Sequence, residues 1–289
     1  MTANLPATKS VEVNGTRLHY VELGSDNKQS VVFVHGAVAD YRIWQGQIEP
    51  FSHHYRVIAY SRRHNYPNEF QEGFQYTADN DGITQFASDL AELIRNLNLA
   101  PAHLVGHSDG GFTTLLSACK NPELVGSLVL GEPPAIPLVF KSNDKKDVQL
   151  AQALVDNVLK PAGEAMAKGD FEKGVRIFID GVMSKGFFDQ LPPPVRTSMV
   201  SNAPGFLKQL PNPMPSGLSV NDLDRASLVP TLFVRGELSP EFFQRATEII
   251  KSRMKRSEEV FIEGATHELG IMTQPQTFNS KVLEFLQKN

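Results

Sequence analysis

The sequence predicts an α/β protein: a mostly parallel sheet with helices on both faces, carrying a helical insertion. Three observations predict it. Short apolar runs alternate with stretches of helical periodicity from about residue 30 to 131, and the rhythm resumes from 231 to the end. Between Pro133 and Ala226 helical segments occur without a convincing strand. The chain has 289 residues, 41% of them hydrophobic and 21% charged, enough to bury one large core.

Each element follows from local pattern. Val11–Val13, the turn Asn14-Gly15 and Arg17–Glu22 read as a β-hairpin. Ser30–His35 is a continuous apolar run, as in a strand buried on both faces, and Tyr55–Tyr60 is similar. Apolar residues at 83, 86, 87, 90, 94 and 97 give one helix face. Ala102–Val105 is a short strand entered through Pro101. Phe112, Leu115, Leu116 and Cys119 share the next helix face, and Leu124–Leu130 is another buried strand. Within the insertion, 148–168 and 171–185 read as helices, followed by proline-rich breaks at 191–194 and 210–215. A strand at 231–235, a helix at 241–256, a strand at 259–263 and a helix near 276–288 complete the chain. The expected organisation is a core of residues 1–133 and 227–289 around a helical cap, 134–226. The early Trp44 is expected in the core.

Composition narrows the function. A net charge of −4 offers no electrostatic case for nucleic acid. No apolar run approaches the ~18 residues of a membrane span, and the first ten residues lack a charged-then-apolar leader pattern. With one cysteine, Cys119, no internal disulfide can form. The eight histidines lack metal-ligand spacing. No glycine-rich dinucleotide fingerprint follows the first strand. The expectation is a cytoplasmic protein acting on a small molecule, with no metal, no cofactor, no membrane contact and an open oligomeric state.

The chemistry concentrates in L-V-G-H-S-D-G-G-F, Leu104–Phe112. A G-x-S-x-G pattern arises by chance in roughly one chain in ten of this length. Here it directly follows a predicted strand and opens a predicted helix, the setting of a nucleophile elbow. That turn is so tight that the residues two before and two after the nucleophile must be small. Around Ser108 they are Gly106 and Gly110; around Asp109 they are His107 and Gly111, and a histidine would clash. Ser108 is therefore the expected nucleophile, which argues against aspartate-nucleophile chemistry as in epoxide hydrolases and haloalkane dehalogenases.

The chain resembles the α/β-hydrolase superfamily through F-V-H-G-A at 33–37, G-H-S-D-G-G at 106–111 and G-A-T-H at 264–267. The resemblance implies an eight-stranded, mostly parallel sheet, a site at the C-terminal ends of the strands, and a helical cap where the insertion lies. His267, just after a predicted strand, is the expected general base and completes the order Ser, acid, His. His35 is expected to support the loop after the third strand. The acid is the difficulty. In most members it follows the penultimate strand as G-x-x-D, but here that stretch is R-G-E-L-S-P, with Ser239 in the aspartate's place. Glu132, in L-G-E-P-P, is the favoured replacement, and Glu237 the alternative. Y-S-R-R at 60–63 and the two glutamate loops together resemble a subgroup with the relocated acid. The resemblance places the oxyanion donors at the backbone N–H groups of Asp109 and Ala37. Arg62 matches a structural arginine, and His107, Arg63 and His64 are candidate substrate contacts. Phenylalanines of the insertion are expected to build the cap core and roof an apolar or aromatic substrate portion.

The leading expectation is hydrolysis of a carboxylic ester or lactone through an acyl-serine. A C–C bond hydrolase or lyase with the same triad is the alternative, and a non-catalytic ligand-binding relative the second.

Overall fold

The chain forms a single eight-stranded sheet, described here from a computed structural model over residues 5–71, 73–77, 81–210, 218–219 and 221–289. The elements before the insertion are β1 (Lys9–Val13), β2 (Thr16–Leu23), β3 (Ser30–Val34), α1 (Gln45–Ser52), β4 (Arg56–Tyr60), α2 (Gly82–Asn96), β5 (Ala102–His107), α3 (Asp109–Lys120) and β6 (Val125–Gly131). Then come α4 (Ile136–Phe140), α5 (Lys145–Leu154), α6 (Lys160–Ala167), α7 (Phe171–Val182), α8 (Phe187–Gln190), α9 (Pro193–Gln209) and α10 (Leu223–Ala226). The chain closes with β7 (Thr231–Gly236), α11 (Glu241–Lys251), β8 (Ser257–Ile262) and α12 (Pro275–Leu286).

Strand order is β1-β2-β4-β3-β5-β6-β7-β8. β1 and β2 form the expected hairpin, with Asn14 and Gly15 both at positive φ as a tight two-residue turn requires. β2 pairs antiparallel with β4, and every later pairing is parallel. β3 and β5 are buried at every position; in β3 this explains the unbroken apolar run, whereas β5 also buries His103 and His107. α2 is capped by Asp81, whose carboxylate accepts from Thr84 N at 2.9 Å. Trp44 is fully buried against Phe33 and Phe278, as expected of a core residue.

Three apolar clusters result. One lies under α2 and α3, a second on the opposite face around Trp44, Phe51 and Phe278, and a third joins the helices between β6 and β7 to α11. Among the described residues of that insertion no strand occurs.

The structure redraws several expected boundaries. The helix expected at 148–168 begins at Lys145 and passes through a wide turn, Val155–Leu159, between α5 and α6. The proline break at 191–194 instead starts a helix: Pro193 sits in the first turn of α9, where a missing N–H costs nothing. Of the second break, residues 211–215 lie outside the described residues. α11 stops at Lys251, earlier than the expected 256, because β8 already pairs from Ser257 with Thr231 of β7.

Candidate active site

The site grows from the ends of β5, β6 and β7. His107 of β5 pairs with Gly131 of β6, so Ser108 and Glu132 leave adjacent strands side by side, and Ser108 N donates to Gly131 O at 2.8 Å. Ser108 has φ +54 and ψ −124, a conformation rarely held by a residue with a side chain. The turn is as tight as expected. A Cβ on Gly106 would lie 2.4 Å from Gly110 O, and one on Gly110 would lie 2.0 Å from Val34 O.

His267 follows β8 and reaches back across the strand ends. Its Nε2 lies 3.0 Å from Ser108 Oγ, and its Nδ1 lies 2.7 Å from Glu132 Oε2. A carboxylate can only accept, so Nδ1 carries the proton. Nε2 is then left to accept from the serine hydroxyl. All three residues are buried.

Glu132, with φ +46, makes two further contacts: Oε1 accepts from Gly236 N and Oε2 from Ser239 Oγ, each at 2.9 Å. Ser239, standing where the resemblance expects an aspartate, thus donates to the carboxylate brought in from the neighbouring strand. Glu237 is exposed and accepts from Gly264 N at 2.9 Å; the structure does not bring it to His267.

The loop after β3 is fixed by two neighbours. Arg62 N donates to His35 Nε2 at 2.9 Å, so the proton of the neutral ring is on Nδ1, which donates to Gly36 O at 2.8 Å. Arg62 Nη2 donates to the same carbonyl at 2.8 Å. Burial, reinforced by the Arg62 charge, holds His35 well below the ordinary histidine range. With the Gly36 carbonyl held on this side, the N–H of the same planar peptide, that of Ala37, points the opposite way.

His107 is also buried. Its Nε2 donates to His267 O at 2.7 Å, and burial brings its pKa down to about 3, so the ring stays neutral. It lines a cavity together with Ser108 and His267. Asp109 opens α3 and lines a second cavity beside Ser108. Burial raises the Asp109 carboxyl above its ordinary range, against the pull of Arg62 and then His267.

Two candidate substrate contacts, Arg63 and His64, do not line either cavity. Arg63 is buried in a bidentate ion pair with Asp89 of α2, at 2.9 and 3.0 Å, and lines neither cavity. The charge needs that partner once it leaves water. His64 packs among Phe70, Phe74 and Tyr76, and burial brings its pKa down to about 4.

Two contributors escape sequence reading. Phe243 of α11 stacks on the His267 ring, with centroids 3.6 Å apart and planes 14° from parallel. Glu268 accepts from the backbone N–H groups of Gly270, Met272 and Thr273 and from the Thr273 hydroxyl, bracing the loop behind His267. A buried acid directly after the histidine, in H-E-L-G, is the only sequence signal for it. Among the described residues no cluster of histidine, cysteine or acidic side chains could hold a metal ion, and no helix is long and apolar enough to cross a membrane.

Comparison with known proteins agrees with this architecture. Epoxide hydrolase 1 of Caenorhabditis elegans is 29% identical over 123 residues, 42% of this chain and 29% of that protein. The chain thus matches about a third of the length of its curated relatives. Among solved structures, the enol-lactonase of Burkholderia xenovorans LB400 superposes with a TM-score of 0.78 at 19% identity, over 96% of this chain and all of that one. A putative lipase of Acinetobacter baumannii AYE gives 0.75 at 22% identity, over 98% of this chain and 91% of that one. At such identities these likenesses speak for the fold. The sequence model described as the alpha/beta hydrolase family matches residues 31–281, from β3 into α12, so that the chain belongs to that family.

Proposed function

We propose that the protein is a serine hydrolase cleaving a carboxylic ester or lactone of a small, partly apolar or aromatic substrate through an acyl-serine. One observation carries it: the hydrogen-bonded row from Ser108 Oγ through His267 to Glu132, at 3.0 and 2.7 Å.

The steps follow from the proton positions. Ser108 Oγ attacks the carbonyl carbon as His267 Nε2 takes its proton. Glu132 stabilises the imidazolium through Nδ1–H, and is itself held by Gly236 N and Ser239 Oγ. The Asp109 and Ala37 N–H groups receive the developing oxyanion, with a value of ~3 kcal/mol for such a donor. Arg62 and His35 act at one remove, by fixing the Gly36 carbonyl. Collapse breaks the C–O bond, and His267 gives its proton to the leaving oxygen. Water then repeats the sequence on the acyl-serine, releasing acid and free Ser108. In a lactone the leaving oxygen stays tethered to the acyl group. The helices between β6 and β7 act as the cap over this centre, and the apolar cavity walls, Ile136, Phe178 and Phe206 among them, support an apolar or aromatic substrate portion. Relatives named for epoxide hydrolysis do not redirect the assignment, because the residue in the elbow here is Ser108.

A fluorophosphonate probe followed by mass measurement tests it. The expected result is one covalent adduct on Ser108, absent in Ser108→Ala, with ester turnover lost by at least ~10³-fold in that variant. A folded protein that neither labels nor turns over any ester would overturn the assignment.

A further inference from the structure

Two cavities meet at Ser108, and they differ in which catalytic groups they contain. One, with about 630 Å³ of space counting its solvent-open part, is lined by Ser108, Asp109, Ile136, Phe206 and Leu210, without His267. The other, about 470 Å³ counted in the same way, is lined by both Ser108 and His267. This narrower chamber shares Ala39, Ile43, Phe187, Met199 and Met272 with an outer groove of about 1830 Å³. The groove runs between the start of α1, the α8–α9 segment and residues 271–275.

The proton inventory decides which part of a substrate goes where. The proton that His267 Nε2 takes from Ser108 must be returned to the leaving oxygen, so the leaving group has to lie on the imidazole side. That side is the narrower chamber. We infer that this chamber and the groove behind it form a leaving-group site for an elongated, apolar alcohol, while the cavity beside Asp109 receives the acyl portion. The assignment rests on the acyl-serine chemistry proposed above and extends it to substrate class.

The walls agree with such an occupant. Met183, Met199 and Met272 line the inner chamber; thioether side chains adapt to an irregular apolar chain. The chamber is narrow beside the reacting centre and the groove is wide outside, so the alcohol is slim next to the ester oxygen and can carry bulk further out. Met199, buried on α9, belongs to both spaces and forms their neck.

Two series of esters test this: acetates of straight-chain alcohols from methanol to octanol, and methyl esters of straight-chain acids. In the unmodified protein kcat/KM is expected to rise at least tenfold from methyl to octyl acetate. Met199→Trp is expected to reduce the octyl-to-methyl ratio at least fivefold. Ile136→Trp, in the other cavity, is expected to lower the preference for long acids while preserving the alcohol ratio. A flat or falling alcohol series in the unmodified protein overturns the assignment, whether or not the variants fold. So does collapse of the alcohol ratio in Ile136→Trp rather than Met199→Trp, which would mean the two sides are reversed. A protein that labels with fluorophosphonate but shows no alcohol preference keeps its serine chemistry and loses only this assignment. One that neither labels nor hydrolyses any ester loses both.

Discussion

Glu132 carries the largest consequence of any single residue. It receives His267 Nδ1–H, Gly236 N–H and the Ser239 hydroxyl, whereas Glu237 is exposed and bound to Gly264 N. Glu132→Gln is expected to lower kcat by about 10³–10⁴-fold, as when the residue that holds a catalytic imidazole in its tautomer is made neutral. Glu237→Gln is expected to stay within about twofold. Steady-state kinetics on one ester separates the two, and the reverse order would place the acid in the β7 loop. The meeting of Ser108 and His267 was legible because each sits in a short motif with a predicted strand before it. The acid was legible only as a choice, since two glutamates lie at neighbouring strand ends and pairing register is not written in a single sequence. The placing of Arg63 and His64 outside both cavities was not legible for a related reason. Their nearness to the catalytic edge is visible in sequence, but the direction of the side chains is set by Asp89 and by the Phe70, Phe74 and Tyr76 rings.

At the scale of elements, the β5–α3 turn is the most constrained. Gly110 approaches β3 so closely that any side chain would strike the Val34 carbonyl, 2.0 Å from an ideal Cβ. The atom in the way is backbone in a central strand, so it cannot yield cheaply. Gly110→Ala is expected to destabilise the protein by at least ~3 kcal/mol, or to prevent accumulation of folded protein. Urea unfolding of the variant beside the unmodified chain reads the difference; a loss under 1 kcal/mol would contradict the close approach. Strands and flanking helices were legible because their periodicity and their burial agree. Helix α9 was not, because the prolines at 192–194 read as a break. Pro193 and Pro194 sit in its first turn, where proline is tolerated. Phe243 was invisible as a site residue because its pattern on α11 is that of an ordinary core position.

At the scale of the whole molecule, buried neutral histidines tie stability to pH. Burial holds His107 down at about 3 and keeps His35 well below its ordinary range, while in the unfolded chain both titrate near 6.5. Between those values the unfolded chain binds more protons, so their stabilising contribution is complete above about pH 6.5 and is lost as pH falls. Each contributes a slope of up to about 1.4 kcal/mol per pH unit inside that window. Asp109 and Glu268, raised by burial, act in the opposite sense when their carboxyls protonate. Urea unfolding at pH 7 and pH 5.5 is expected to show a lower midpoint at the more acidic pH. An unchanged or higher midpoint at pH 5.5 would contradict the dominance of the buried histidines over these two carboxyls.

The position of Glu132 along the chain has a consequence for how this protein can change. Ser108 and Glu132 both belong to one strand-helix-strand unit, β5 to β6, and both precede Pro133. A carboxylate placed after β7 would instead have the whole of 134–226 threaded between it and the serine. Here that stretch can be lengthened, shortened or exchanged for another without altering the span of backbone that sets Ser108 against Glu132. Grafting a foreign 134–226 segment should therefore leave the Ser108–Glu132 span unchanged, while His267, Gly236 and Ser239, which follow that segment, must still be brought back to it.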